Sequence, residues 1–172
     1  MDILRASAGW ARAELLSNGV FVLFGILFLM ASLGLWHIGK TETARAFVIP
    51  ALVAGVLLLI LGGGLLLGTW KSLAGFDAAH TRDAPAFVAS EIARVDRTMA
   101  QYAVAAFKGM PLLILACAAL IVILQGPVWR ASLITAIALL VVVMAVDSTA
   151  HARLAAFKER LLAAKVTPRA PG

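Results

Sequence analysis

At 172 residues the chain is long enough for one compact unit and too short for two substantial domains. Its residues are 62% hydrophobic and 14% charged, where a soluble domain is about 45–50% apolar and about 25% charged. That balance excludes an ordinary soluble domain, and a net charge of +6 dispersed between apolar runs, not gathered in one stripe, argues against a nucleic-acid binder.

The first apolar run, residues 19–38, contains no charged side chain and has the length of about 20 residues that a ~30 Å hydrocarbon core requires. Arg5 and Arg12 precede it as the basic residues of a signal peptide would. The run exceeds the roughly 7–15 residues of a cleaved hydrophobic region, however, and "ASLGLWHIG" offers no convincing cleavage site, so the segment is expected to stay as a span. In "GKTETARA", Gly39 ends this helix and Thr41 or Thr43 caps the next.

The second span is expected over 46–70 and is dense in glycine. Gly64 and Gly68 make a small-x-x-x-small step which, with Gly55, forms a packing face. That face serves either the first span, where Gly25, Ser32 and Gly34 are also small, or another copy of the chain.

Residues 71–108 read as a cytoplasmic loop, "KSLAGFDAAHTRDAP", followed by a helix beginning near Pro85 with Asp83 or Thr81 as its cap. Val88, Ile92, Val95, Met99, Tyr102 and Ala106 then fall at alternating spacings of four and three, a narrow heptad-type seam. The third span is expected over 109–126, bent at its base by Pro111, which lacks a backbone donor. In "QGPVW", Gly126 and Pro127 suit a turn into a fourth span over 128–147. Its charge-free part, Ala131–Val146, is 16 residues long, so Arg130 or Asp147 must snorkel or sit at the interface. A last helix over 148–165 repeats the seam at Ala150, Leu154, Phe157, Leu161 and Ala164, before a tail at 166–172.

The two seams are mirror images about residue 128, inside the turn, so Met99 meets Phe157 and Tyr102 meets Leu154. In that register Asp96 faces Lys158 and Glu91 faces Arg160. Asp147 comes level with Lys108 at the lipid boundary, where a paired charge anchors a helix end at less cost than at the bilayer centre. The expected fold is therefore all-α: an integral membrane protein with four transmembrane helices as two antiparallel hairpins, the second extended into a cytoplasmic helical stalk. Twelve Lys and Arg fall on one side of the spans and three, Lys40, Arg45 and Arg130, on the other. This positive-inside bias puts both termini in the cytoplasm.

Nothing in the sequence calls for catalysis, a cofactor or a metal. His37, His80 and His151 do not occur at facing depths that would hold a haem. Asp147 and His151 offer two ligands where catalytic zinc takes three. Ser148 has no base and orienting partner beyond that same turn, and the single Cys117 excludes an internal disulfide. The run E-x-x-R-V (Glu91, Arg94, Val95) with D-x-x-A-x-x-R (Asp147, Ala150, Arg153) resembles small four-span bacterial inner-membrane proteins without an assigned activity. The likeness covers the second hairpin and implies a multi-pass home in the bacterial inner membrane. The function expected is protein–protein interaction in the bilayer, as an accessory subunit or an immunity-type protein that binds a protein partner or itself. The alternative is a homo-oligomeric channel or transporter, disfavoured because the spans are apolar nearly all round.

Overall fold

The computed structural model describes residues 3–82, 90, 92–93, 95–100 and 105–166, and outside short turns every one of them is helical. The first helix, α1, spans Ile3–Ile38 and so begins well before the apolar run. It stops at Gly39, whose N–H still donates to the Leu35 carbonyl at 2.9 Å. Thr41 then caps the short α2 (Glu42–Ala46), its hydroxyl accepting from the Ala44 N–H at 3.1 Å. Phe47 stays in the right-handed helical region and leads directly into α3 (Val48–Arg82). Pro50 lies in the first turn of α3, where a missing N–H costs little.

Helix α3 differs from the sequence reading at its far end. Residues 71–82, expected as a loop, continue the helix to Arg82, and Thr81 lies inside it. The charges of Lys71 and Asp77 end the apolar run but do not end a helix, and Gly75 alone costs only about 1 kcal/mol against alanine. Asp83 and the helix start near Pro85 lie outside the described residues.

Helical backbone at residues 95–100 (α4) is followed by a π-helical turn, Ala105–Gly109, and by α5, Met110–Ile123. The widened turn ends two residues before Pro111, which cannot donate to the carbonyl four residues back, inside that turn. The bend expected there is thus taken up as a local change of pitch. Gly126, at φ +127°, turns the chain into α6, Pro127–Val166, whose 40 residues extend about 60 Å at ~1.5 Å each.

α1 and α3 run antiparallel and in close contact. The Ser32 hydroxyl donates to the Val48 carbonyl at 2.8 Å, and the Asn18 amide donates to the Thr69 hydroxyl at 3.2 Å near the other end. Between them the backbones approach through glycine: a Cβ on Gly55 would stand 2.9 Å from the Gly25 carbonyl, and one on Gly62 2.9 Å from the Phe21 side chain. At Gly64 and Gly68 an added Cβ would meet nothing within 4 Å. Of the expected packing face, only Gly55 meets α1.

α6 is the shared neighbour. It packs on α1, α2, α3, α5 and the π turn, while α5 packs only on α6 and that turn among the described elements. A small core forms where Phe21, Leu58 and Val146 meet, with Phe24, Phe28, Leu139 and Val142 against them. Elsewhere the bundle is inverted relative to a soluble protein: Ile49, Ile60, Leu67, Leu115, Val122 and Ile123 are all exposed. Three helices are long and apolar enough to cross a membrane, Ser17–Ile38, Glu42–Lys71 and Pro127–Ala156. A fourth apolar stretch, Phe107–Ile123, reaches only about 25 Å at ~1.5 Å per residue. Exposed tryptophans mark both ends: Trp36 and Trp129 at one, and Trp70, some 33 Å along α3 from Val48, at the other.

The two kinds of glycine should respond to alanine with opposite signs. Gly55→Ala is expected to destabilise by about 1–3 kcal/mol through overpacking against α1. Gly64→Ala should be neutral, or stabilising by up to about 1 kcal/mol through helix propensity. Unfolding by sodium dodecyl sulfate in mixed micelles measures both, and equal effects would contradict the packing described.

Candidate functional site

Apart from Ser32, Ser132 and Thr135 toward the other end, polar side chains on the apolar helices gather near one end of the bundle, on three helices. α1 brings Ser17 and Asn18, both buried; α3 brings Thr69; α6 brings Asp147, Ser148, Thr149, His151 and Arg153. Each α6 residue faces a direction set by the 100° helical step. Arg153 points to α1, where its guanidinium donates to the Ser17 hydroxyl. Asn18 points to α3 and donates to Thr69. Two adjacent residues of α1 thereby tie it to α6 and α3 through partly buried polar bonds.

The opposite side of α6 meets the chain on its way into α5. His151 lies edge-on to Phe107, ring centres 5.4 Å apart at 77°. Two turns further out, Lys158 Nζ is 2.6 Å from Asp96 Oδ1, joining α4 to α6 through a pair that is one-third to one-half exposed. Val95, Ala150 and Leu154, three of the seam residues, are buried there. The pairing of Glu91 with Arg160 lies outside the described residues, as do the side chains of Tyr102 and Phe157.

Lys108 and Asp147 are placed differently from the sequence reading. Among the described residues no ion pair joins them, and Lys108 is exposed while Asp147 is partly buried. The cause is the π turn. It holds one residue more than an α turn, rotating the chain by about 100° relative to a continuous helix. Phe107, not Lys108, is therefore the residue turned to α6.

The arrangement offers little to chemistry. Ser148 and Thr149 lie between a carboxylate and an imidazole in sequence, yet Ser148 donates to the Met144 carbonyl at 2.7 Å and Thr149 to the Val146 carbonyl at 2.8 Å. Both are turned onto their own backbone. Among the described residues no three His, Cys, Asp or Glu side chains come close enough to hold a metal ion. His37, at the other end, stacks on Trp36 with ring centres 6.0 Å apart. Two of the cations there are held by their own turns: Arg45 donates to the Gly39 carbonyl at 3.3 Å and Arg130 to the Gln125 side chain at 3.4 Å.

Sequence reasoning missed the role of Arg153 and of the Ser17–Asn18 step. The available signal was that an arginine two turns from the apolar run and a Ser-Asn pair opening the first span are polar groups of similar depth. Which helix each would face depends on the packing of α6 between α1 and α5, which neither periodicity nor spacing contains. Compared with known proteins, the chain matches no family model, no curated protein and no solved structure.

Double-mutant cycles separate the two charge arrangements. Asp96→Ala with Lys158→Ala should show a coupling of about 0.2–1 kcal/mol, as for a partly exposed pair. Lys108→Ala with Asp147→Ala should be additive within about 0.3–0.5 kcal/mol. A coupling at 108 and 147 with none at 96 and 158 would restore the boundary pair and remove the rotation assigned to the π turn.

Proposed function

We propose that the chain is a non-enzymatic, multi-pass protein of the bacterial inner membrane that acts by binding another protein. In this reading α1, α3 (with α2), α5 and α6 are four spans arranged as two antiparallel hairpins, with both termini on the cytoplasmic side. The observation that carries it is the length of α6. About 60 Å of continuous helix is twice the ~30 Å hydrocarbon thickness, so about half must stand outside lipid. The Asp96–Lys158 pair and the buried Val95 and Leu154 couple that outer half to α4, giving the protruding part a partner helix.

The protruding pair is then a cytoplasmic stalk, on the side where twelve of the fifteen basic residues fall. It carries charge of both signs, Asp96 and Glu159 with Arg97 and Lys158, and is suited to recognising a soluble face of another protein. The apolar stretch 107–123 is short for a span, and its crossing is completed by the exposed Lys108 snorkelling to the interface. A second surface for association is the stretch of α3 around Gly64, where an added Cβ would meet nothing within 4 Å. Accessory subunits and immunity-type proteins both fit a chain of this size in which Asn18, Ser32 and Arg153 use their polar groups to hold helices together.

Affinity purification of the tagged full chain in mild detergent tests the proposal. A second protein should return in stoichiometric amount. Its binding should weaken about fivefold with Lys158→Glu, the worth of one partly exposed charge pair, and recover with Asp96→Lys added. Recovery of the chain only as a homo-oligomer, with ion conduction after reconstitution into vesicles, would overturn it in favour of a channel.

A further inference from the structure

Hydroxyl groups are scarce on the long apolar helices, and those described are nearly all occupied. Ser17 accepts from Arg153, Ser32 donates to Val48, Thr69 accepts from Asn18, and Ser148 and Thr149 bond their own backbone. Ser132 and Thr135 break the pattern. Among the described residues neither has a hydrogen-bond partner, although Thr135 is only 6% exposed. A helix can satisfy a serine or threonine through the carbonyl one turn back, as Ser148 does; these two do not use that option.

Both line one cleft. It lies between α3 and α6, has a volume of about 360 Å³, and is otherwise walled by apolar residues including Pro50, Val53, Leu57 and Leu139. α5 does not close it, because α5 touches only α6 and the π turn among the described elements. Ser132 and Thr135 lie three and six residues past the exposed Trp129, about 4.5 and 9 Å deeper along α6 at ~1.5 Å per residue. Tryptophan sits at headgroup level, so the two hydroxyls fall just inside the hydrocarbon boundary. An unbonded hydroxyl at that depth has no water to turn to.

Three properties of the cleft select its occupant. No charged side chain lines it, which excludes a charged group inside. Its volume corresponds to a space about 7 Å on a side, whereas a helix with its side chains is about 10–12 Å across. A helix of a second copy is too wide to seat within it, whereas a single hydrocarbon chain fits. Two hydroxyl donors at its upper end call for an acceptor oxygen at the level where lipid ester groups lie. We propose that the cleft is a lipid site holding one acyl chain of a membrane phospholipid, whose ester carbonyl accepts from Ser132 and Thr135. This rests on the reading of α3 and α6 as membrane spans. Lipid bound here fills the gap between the two hairpins on the face that α5 leaves open, and so makes a structural contact that the chain itself lacks.

The test uses the full chain in vesicles of phosphatidylethanolamine and phosphatidylglycerol, containing a phosphatidylglycerol with a diazirine midway along one acyl chain. After irradiation, adducts are mapped by mass spectrometry. They are expected to concentrate on Val53, Leu57 and Leu139 relative to Leu112 and Leu115 of α5, which face bulk lipid. Ser132→Ala with the isosteric Thr135→Val should lower labelling in the cleft about fivefold and leave α5 unchanged, and Ala136→Trp, which fills the cleft, should abolish it. Labelling in the cleft no greater than on α5 and unchanged in these variants would overturn the site, as would a cleft with no adducts. Absence of adducts on α5 as well would overturn the membrane reading together with it.

Discussion

Leucine gains nothing by turning from lipid to another helix, because lipid tails are as apolar as leucine. In the hydrocarbon setting proposed for this chain, cohesion must come from close packing and from polar groups with nowhere else to bond. The contact of α1 with α3 is built on that constraint. Gly25 and Gly55 bring the two backbones together, Gly62 receives Phe21, and polar bonds close the interface near each end, Ser32 to Val48 and Asn18 to Thr69. Large apolar side chains are left to face outward.

α6 depends on this pair and extends it. It lies against α1 and α3 through Leu139, Val142 and Val146, and Arg153 locks it to Ser17 where the apolar run ends. Its other face receives the chain leading into α5, with Phe107 on His151 and Asp96 on Lys158. The element that carries the proposed stalk is thus also the one that holds the bundle together. A change in the exposed half of α6 can reach the packed half without leaving a single helix, which is a physical route for a partner bound outside to bias helices inside.

Local chemistry made much of this legible in the sequence. The turns at Gly39–Thr41 and Gly126–Pro127 depend on residues within one turn of each other, and both stand where the sequence reading put them. The apolar runs read correctly as helices, because uninterrupted stretches of that length have few other solutions. What was not legible is set by the absence of something or by a neighbour. α3 runs through 71–82 because nothing stops it: a change from apolar to polar residues ends a hydrophobic run but not a helix. Pro111 announced a bend, but not that the bend would be a π turn that rotates Lys108 away from Asp147. Of Gly55, Gly64 and Gly68, read as one packing face, Gly55 is the one that meets α1, at Gly25, and Gly62 meets Phe21 beside it, since which glycines meet depends on how far α1 and α3 are offset.

The central claim is that α6 is one unbroken helix whose first half lies in lipid and whose second half stands in water. Nitroxide labels on its exposed positions Val141, Ala152, Ala156 and Glu159, with Cys117 replaced, measure this directly in vesicles through collision with oxygen, which concentrates in hydrocarbon, and with a nickel chelate, which stays in water. The account predicts that position 141 responds to oxygen and not to nickel, and that 156 and 159 do the reverse, with 152 between them. Oxygen-dominated relaxation at all four positions would place the whole helix at or in the bilayer and contradict the account.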